Sequence, residues 1–211
     1  AADRVIDKAT RIAAHILEAA ADDITFDEGV FTISGTDRRV TIKEVARAAA
    51  NPAGLPADIE PGLVGTAVFA AKAMNFPNGC HVCEVEIDPD TGTVEIVGYS
   101  VVDDVGTVMN PLLVKGQIHG GIAQGAGQVL IEDIAFDPKS GQLLTGSFMD
   151  YAMPRADDLS MFEVKSNPVP TKTNPLGVKG CGEAGTVGAM PAVTNAIVDA
   201  LSPLGVHHIE M

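Results

Sequence analysis

The sequence predicts an α+β fold, with mixed or antiparallel sheets and packed helices. Three observations carry that expectation: apolar and polar residues alternate on either side of the turn in DITFDEGVFTISG, the turn pattern Asp-Pro-x-x-Gly occurs at Asp88 and again at Asp137, and helical periodicity marks both ends of the chain. From Asp3 to about Ala21, Val5, Ile6, Ala9, Ile12, Ala13, Ile16, Leu17 and Ala20 recur at three- and four-residue steps. That spacing is one apolar face of an amphipathic helix, and His15 lies off it as a surface histidine.

The alternation around Asp27-Glu-Gly29 predicts a hairpin, and Thr41-Ile-Lys-Glu44 has the spacing of a capping box that opens a helix to about Ala50. Residues 51–62, with three Pro and two Gly, read as a loop, and residues 64–71 and 80–88 read as strands. Asp88-Pro-Asp-Thr-Gly92 then turns the chain into a strand through Val94, Ile96 and Val102. Asn110 followed by Pro111 is a helix start, since Asn caps and Pro tolerates the first helical position, so a helix is predicted to about Leu130. The second turn, Asp137 to Gly141, is expected to join two more strands, hinting at a repeated hairpin and helix unit. A strand is predicted from Met161 to Ser166, and a helix from about Ala184 to Leu201, before Pro203. The opening helix has no lead-in, and the closing GVHHIEM reads as the start of a strand, so the 211 residues are expected to be a piece of a longer chain. Within it, residues 1–62 and 63–211 are expected to be subdomains.

Composition narrows the function. Lys and Arg number 14 against 28 Asp and Glu, a net charge of −14 with no basic run, which argues against nucleic acid and anionic membranes as partners. No segment has the roughly 18 consecutive apolar residues of a spanning helix, so a soluble protein is expected. Three cysteines make no secreted disulfide framework, which points to the cytoplasm.

Three clusters bear on chemistry. Cys80-His-Val-Cys83 is a CxxC, but the surrounding alternation puts its cysteines on opposite faces of a strand, and Cys181, His207 and His208 are too scattered to complete a zinc site. Gly180-Cys-Gly-Glu-Ala-Gly185 matches the dinucleotide pattern GxGxxG, yet the approach through Pro168, Pro170 and Pro175 suits no central strand. In that loop the glycines let a ligand reach the backbone, and Glu183 at a helix N-terminus is either a general base or a capping acid. The third cluster, Gly116 to Gln128, holds five glycines at about 1 kcal/mol each in a helix interior. Close helix packing is one reason for them; a ligand read by Gln117, Gln124 or Gln128 is the other.

The stretches VVDDVGTVMNPLLVKGQIHGGIAQGAGQ, GSFMDYAMPRADDL and TNPLGVKGCGEAGTVGAMPAVTNAIVDAL resemble the C-terminal part of the large, molybdenum-binding subunit of the xanthine oxidase family. Within it the chain looks most like bacterial carbon monoxide dehydrogenase-type and aldehyde or N-heterocycle dehydrogenase subunits, and the likeness runs the length of the chain. The resemblance implies a molybdopterin-binding domain of the aldehyde oxidase and xanthine dehydrogenase type. It also implies a molybdopterin cofactor, in cytosine dinucleotide form, with molybdenum in the complete enzyme. Glu183 matches the family's catalytic glutamate, a base for a metal-held hydroxyl that attacks an electron-poor carbon. Gln117 matches the glutamine that hydrogen-bonds the cofactor, and Gly180, Cys181 and Gly182 would pass beside the molybdenum, with Gln124 and Gly125 as further cofactor contacts. Cys181 departs from the small or apolar residue expected there. No residue of this chain is expected to ligate the metal directly.

In the family the other pterin contacts, the substrate-facing loops and any copper-ligating cysteine lie upstream, and iron–sulfur and FAD centres lie in partner subunits or domains. The chain alone is therefore expected to be inactive and cofactor-free, and to need the rest of the large subunit. The expected substrate is a small aldehyde, an N-heterocycle or CO. Two other readings stand beside this one: a non-catalytic module that pairs with a partner subunit, and a nicotinamide-dinucleotide-binding domain.

Overall fold

The structure is a computed structural model that describes residues 1–209. The chain divides into two compact units, Ala1–Ala70 and a second from Ala71 onward. In the first, helix α1 (Ala2–Leu17) packs with α2 (Ile42–Ala49) and a three-stranded antiparallel sheet of order β1 (Ile24–Asp27), β2 (Val30–Ile33) and β3 (Arg39–Thr41). Ile12, Phe31 and Val45 fill its core. The capping box forms as expected: Thr41 Oγ1 accepts from the Glu44 amide at 3.4 Å while the Thr41 amide donates to Glu44 Oε2 at 2.8 Å. The Thr41 hydroxyl, donating to Glu44 Oε2 at 2.7 Å, and then the Thr41 amide hold the Glu44 carboxyl below its usual range.

Two expectations for this unit need correction, and one strand is added. Helix α1 stops at Leu17, because Glu18 turns left-handed (φ 53°) and its amide closes on the carbonyls of Ala14 and His15, leaving Ala20 outside. Strand β3 has no counterpart in the sequence pattern, since three residues are too few to show alternation. Residues 64–71 form no strand: Val68 is 93% exposed, and among the described residues no neighbouring strand pairs with the segment, so its β-propensity has nothing to act on.

The second unit is built on a sheet of order β4 (Asn78–Ile87), β5 (Val94–Asp104) and β6 (Glu163–Ser166), the first pair antiparallel and the second parallel. The turn Asp88–Gly92 closes the β4–β5 hairpin, with the Gly92 amide on the Asp88 carbonyl at 2.8 Å. Helix α3 (Pro111–Leu130) begins as predicted, with Asn110 Oδ1 accepting from the Leu113 amide at 3.2 Å. Helix α4 (Ala184–Leu201) packs against both α3 and β4, and Ile118, Ile122, Val193 and Val101 form the heart of the core. Pro191 lies inside α4, on its exposed side.

The two helices cross on glycine. A Cβ on Gly185 would lie 2.5 Å from the Ile118 carbonyl oxygen and 3.1 Å from Gly121 Cα, and one on Gly121 would lie 2.8 Å from the Thr186 amide nitrogen. Close packing is thus one reason for the glycine cluster of α3. It does not account for Gly116 and Gly120, whose Cβ directions meet open space.

Here too the sequence pattern overreaches. The second Asp-Pro-x-x-Gly turn forms, but its flanks make a single bridge between Phe136 and Leu143 where two strands were expected. Both residues are exposed, and a ribbon with no sheet to bury its apolar face does not propagate. Strand β6 begins at Glu163, not Met161, where β5 first offers it a partner at Ser100. Of the expected closing strand, residues 205–209 adopt none, and residues 210–211 lie outside the described residues. Helix α4 with the turn after it, Ala184–Leu204, also reaches the length and apolar composition of a spanning helix, which the sequence reading did not find. Its Ala189, Val193 and Ile197 are nonetheless core residues of this unit.

The crossing makes a paired prediction. Gly185→Ala should lower the thermal stability of the protein, by about 1–3 kcal/mol of overpacking. Gly116→Ala, with open space and an exposed helical site, should raise it by about 0.5–1 kcal/mol. Thermal unfolding of both variants beside wild type checks the two signs.

Candidate functional site

The loop Gly180–Glu183 is held from behind by an irregular strap. The Lys179 amide donates to the Val105 carbonyl at 2.9 Å, the Thr107 amide to the Gly177 carbonyl at 2.9 Å, and Gly106 and Val178 form a bridge. Asp104, at the end of β5, ties these strands of chain together: its Oδ1 accepts from the amides of Gly106 (2.8 Å) and Val169 (2.9 Å), and its Oδ2 takes Lys179 Nζ at 2.5 Å. The Lys179 hydrogen bond, helped by the two amides, pulls the Asp104 carboxyl down to about 2. Both side chains are little exposed, so this ion pair is sheltered from screening.

From that anchored strap the chain enters α4. Glu183 occupies the N-cap position, but its side chain makes no hydrogen bond to the helix, so the capping alternative is not realised. It is exposed and lines a cleft of about 560 Å³. The opposite wall is the segment entering β4, Asn75 to Gly79, and the near wall includes Gly180 and Gly182. The Cβ direction of Gly180 is open, and that of Gly182 meets only Gln117 Nε2, at 3.8 Å. The α3–α4 crossing therefore brings Gln117 beside Gly182.

The other residues singled out in the sequence sit elsewhere. Gln124 Oε1 accepts from Thr186 Oγ1 at 3.1 Å and so braces α3 on α4. Gly125 is buried at the same crossing, where a Cβ would come 2.8 Å from Ala189 Cβ. Cys181 is half-buried and does not line the cleft. Gln128 is exposed on α3 and does not line it either. The dinucleotide reading fails on geometry: the chain before Gly180 is the strap, with no parallel strand running into the glycine.

Sequence reasoning missed the floor of this cleft. His81 and Asp103 line it, on the inward faces of β4 and β5. His81 Nδ1 lies 2.7 Å from the Tyr99 hydroxyl, and His81 Nε2 lies 3.4 Å from Asp103 Oδ1. The available signal was the alternation itself, which places a histidine and an aspartate at positions otherwise filled by Val85, Ile96, Tyr99 and Val101. The neighbouring CxxC behaves as read from its pattern: Cys80 is exposed, while burial raises the Cys83 thiol to about 11. No cluster of three or more His, Cys, Asp or Glu among the described residues could hold a metal ion.

Comparison with known proteins gives a consistent result. Residues 1–160 match the family model of the molybdopterin cofactor-binding domain. The chain is 40% identical over 209 residues to the gamma subunit of the 6-hydroxypseudooxynicotine dehydrogenase complex of Paenarthrobacter nicotinovorans, covering 98% of this chain and 26% of that one. It superposes on CO dehydrogenase from Oligotropha carboxidovorans with a TM-score of 0.90 at 35% identity, over 100% of this chain and 26% of that chain. Against quinoline 2-oxidoreductase from Pseudomonas putida 86 the TM-score is 0.85 at 35% identity, over 97% and 26% of the two chains. The chain thus spans about a quarter of the length of these relatives.

The Asp104 anchor has a pH signature. Because its folded-state pKa lies below the unfolded value of about 3.9, the stability it contributes is full above that value and is lost as pH falls towards 2. Asp104→Asn should therefore lower the melting temperature at pH 7 and at pH 5 alike. The difference from wild type should shrink as the pH approaches 2, which thermal melts across that range measure directly.

Proposed function

The chain belongs to the molybdopterin cofactor-binding domain family, and from that premise we propose that it forms the part of a molybdenum hydroxylase that carries the catalytic base. The observation that carries this reading is Glu183: an exposed carboxylate with no capping bond, at the rim of a cleft whose near wall is two glycines. The cleft suits a cofactor that approaches the backbone closely, because the Cβ direction of Gly180 is open and that of Gly182 meets only the Gln117 amide.

In this reading Gly180 and Gly182 present their backbone to the molybdopterin with Cys181 as the link between them, and the Gln117 amide hydrogen-bonds it across Gly182. Gln124 and Gly125 contribute from the crossing, keeping α3 and α4 in register so that Gln117 and the loop face one ligand. When bound, the cofactor supplies a molybdenum centre able to take two electrons from the substrate. Glu183 accepts and holds the proton released as water-derived oxygen is transferred; a base placed within hydrogen-bond reach of that proton contributes about 10²–10⁴-fold to rate. The strap anchored by Asp104 fixes where that carboxylate stands.

The same reading assigns the cytosine dinucleotide form of the cofactor and a cytoplasmic location. The partners are the rest of a large subunit together with iron–sulfur and FAD subunits, and the substrate is a small aldehyde, an N-heterocycle or CO. The names of two relatives, a CO dehydrogenase and a quinoline oxidoreductase, support the CO and N-heterocycle parts of that range.

In the complete protein, Glu183→Gln should reduce turnover about 10³-fold while molybdenum content stays near wild type; activity within a few fold of wild type would contradict the assignment. Gln117→Ala should lower the fraction of protein that retains molybdopterin, read from metal analysis after purification.

A further inference from the structure

The floor of the cleft has a polar group that the proposed function leaves unused. The Asp103 side chain is 2% exposed and that of His81 5% exposed, yet both line the cleft with Glu183. Packing fixes them: a Cβ on Gly79 would overlap Asp103 Oδ1, and one on Gly188 would overlap the His81 ring. His81 Nδ1 is hydrogen-bonded with the Tyr99 hydroxyl, and Nε2 lies 3.4 Å from Asp103 Oδ1. Asp103 Oδ2 is buried and accepts from no group among the described residues.

An ionised carboxylate oxygen can only accept hydrogen bonds, and leaving it buried without a donor costs about 1–3 kcal/mol or more. A ligand that fills the cleft can supply the missing donor. The surfaces around it are apolar and suit a ring face, with Phe76 and Pro77 on one side and Ala184 and Val187 on the other. Asp103 and His81 have no third metal ligand beside them among the described residues, so the pair is not itself a metal-ligating cluster.

We propose that Asp103 Oδ2 is a recognition point that accepts a hydrogen bond from an amino or ring N–H of a flat heterocycle seated in the cleft over Glu183. The proposal rests on the reading of the cleft as the cofactor and substrate site, and gives that site a specificity-determining residue. Two sources carry this chemistry, the aminopyrimidinone edge of the pterin and an N-heterocyclic substrate.

The test uses the complete enzyme with Asp103→Asn, which keeps the shape, and Asp103→Leu, which removes the buried carboxyl group and tolerates loss of the donor. Molybdopterin content is measured for both, together with binding of 2-aminopyrimidin-4-one and of its N-methylated counterpart by calorimetry. A fivefold or greater loss of molybdopterin in both folded variants supports the proposal and assigns the donor to the cofactor. Unchanged molybdopterin supports it and assigns the donor to the substrate if two further results hold: binding of 2-aminopyrimidin-4-one is at least tenfold weaker in the variants, and wild type discriminates similarly against the N-methylated probe. Wild-type molybdopterin content and wild-type probe binding in both variants would overturn it, as would failure of both to fold, which would assign the carboxylate to the core. Glu183→Gln run in parallel separates the two claims: lost turnover there with silent Asp103 variants sinks only this inference, whereas wild-type enzyme free of molybdopterin sinks the reading beneath it.

Discussion

The contact on which the second unit depends is the crossing of α3 and α4 at Gly121 and Gly185. With backbone set against backbone there, the separation of the helices is fixed by main-chain atoms and not by adjustable side chains. The consequence is local and chemical. Gln117 lies one helical turn before Gly121, and Gly182 and Glu183 lie just before Gly185, so one approach sets the Gln117 amide beside Gly182, the residue before Glu183. Any side chain at the crossing would separate them, and the helical cost of glycine is offset by that close contact.

Electrostatics complete what the crossing begins. Asp104 gathers two backbone amides and the Lys179 ammonium, and thereby stitches the strap to the end of β5. Its neighbour Asp103 points to the other face of the same strand, where it meets His81 and keeps one oxygen unsatisfied. Two adjacent aspartates thus have opposite conditions, one saturated with donors and one short of them. The first is a structural anchor; the second is where the cleft can still gain energy from a ligand.

Much of this was legible in the sequence because the signals were local. The Thr41 capping box, the Asn110-Pro111 start and the Asp88 turn are set by hydrogen bonds within four residues, and all three formed where expected. The segments that failed depended on partners far along the chain. Residues 64–71 and the flanks of the Asp137 turn have strand-like patterns without a strand to pair with, whereas the short β3 and β6 owe their existence to β2 and β5. The site divides the same way. The loop around Glu183 announces itself by its glycines, but His81 and Asp103 become a pair only through the register of β4 and β5, which no single segment encodes. Even so, their inward position in the alternation was a readable clue.

The same logic explains why the glycine cluster of α3 left two readings open. Gly121 and Gly125 serve packing, on the face that also carries Gln117, while Gly116 and Gly120 face open space.

The central claim is that this crossing places Glu183 against a molybdenum-bearing cofactor in the cleft. Anomalous diffraction at the molybdenum edge from crystals of the complete, cofactor-loaded protein tests it most directly. The account predicts a single strong peak in the cleft beside Gly182, within about 5 Å of the Glu183 carboxylate, the distance at which a base reaches a proton on a metal-held ligand. A peak outside the cleft, or one on the far side of α4 from Glu183, would contradict it.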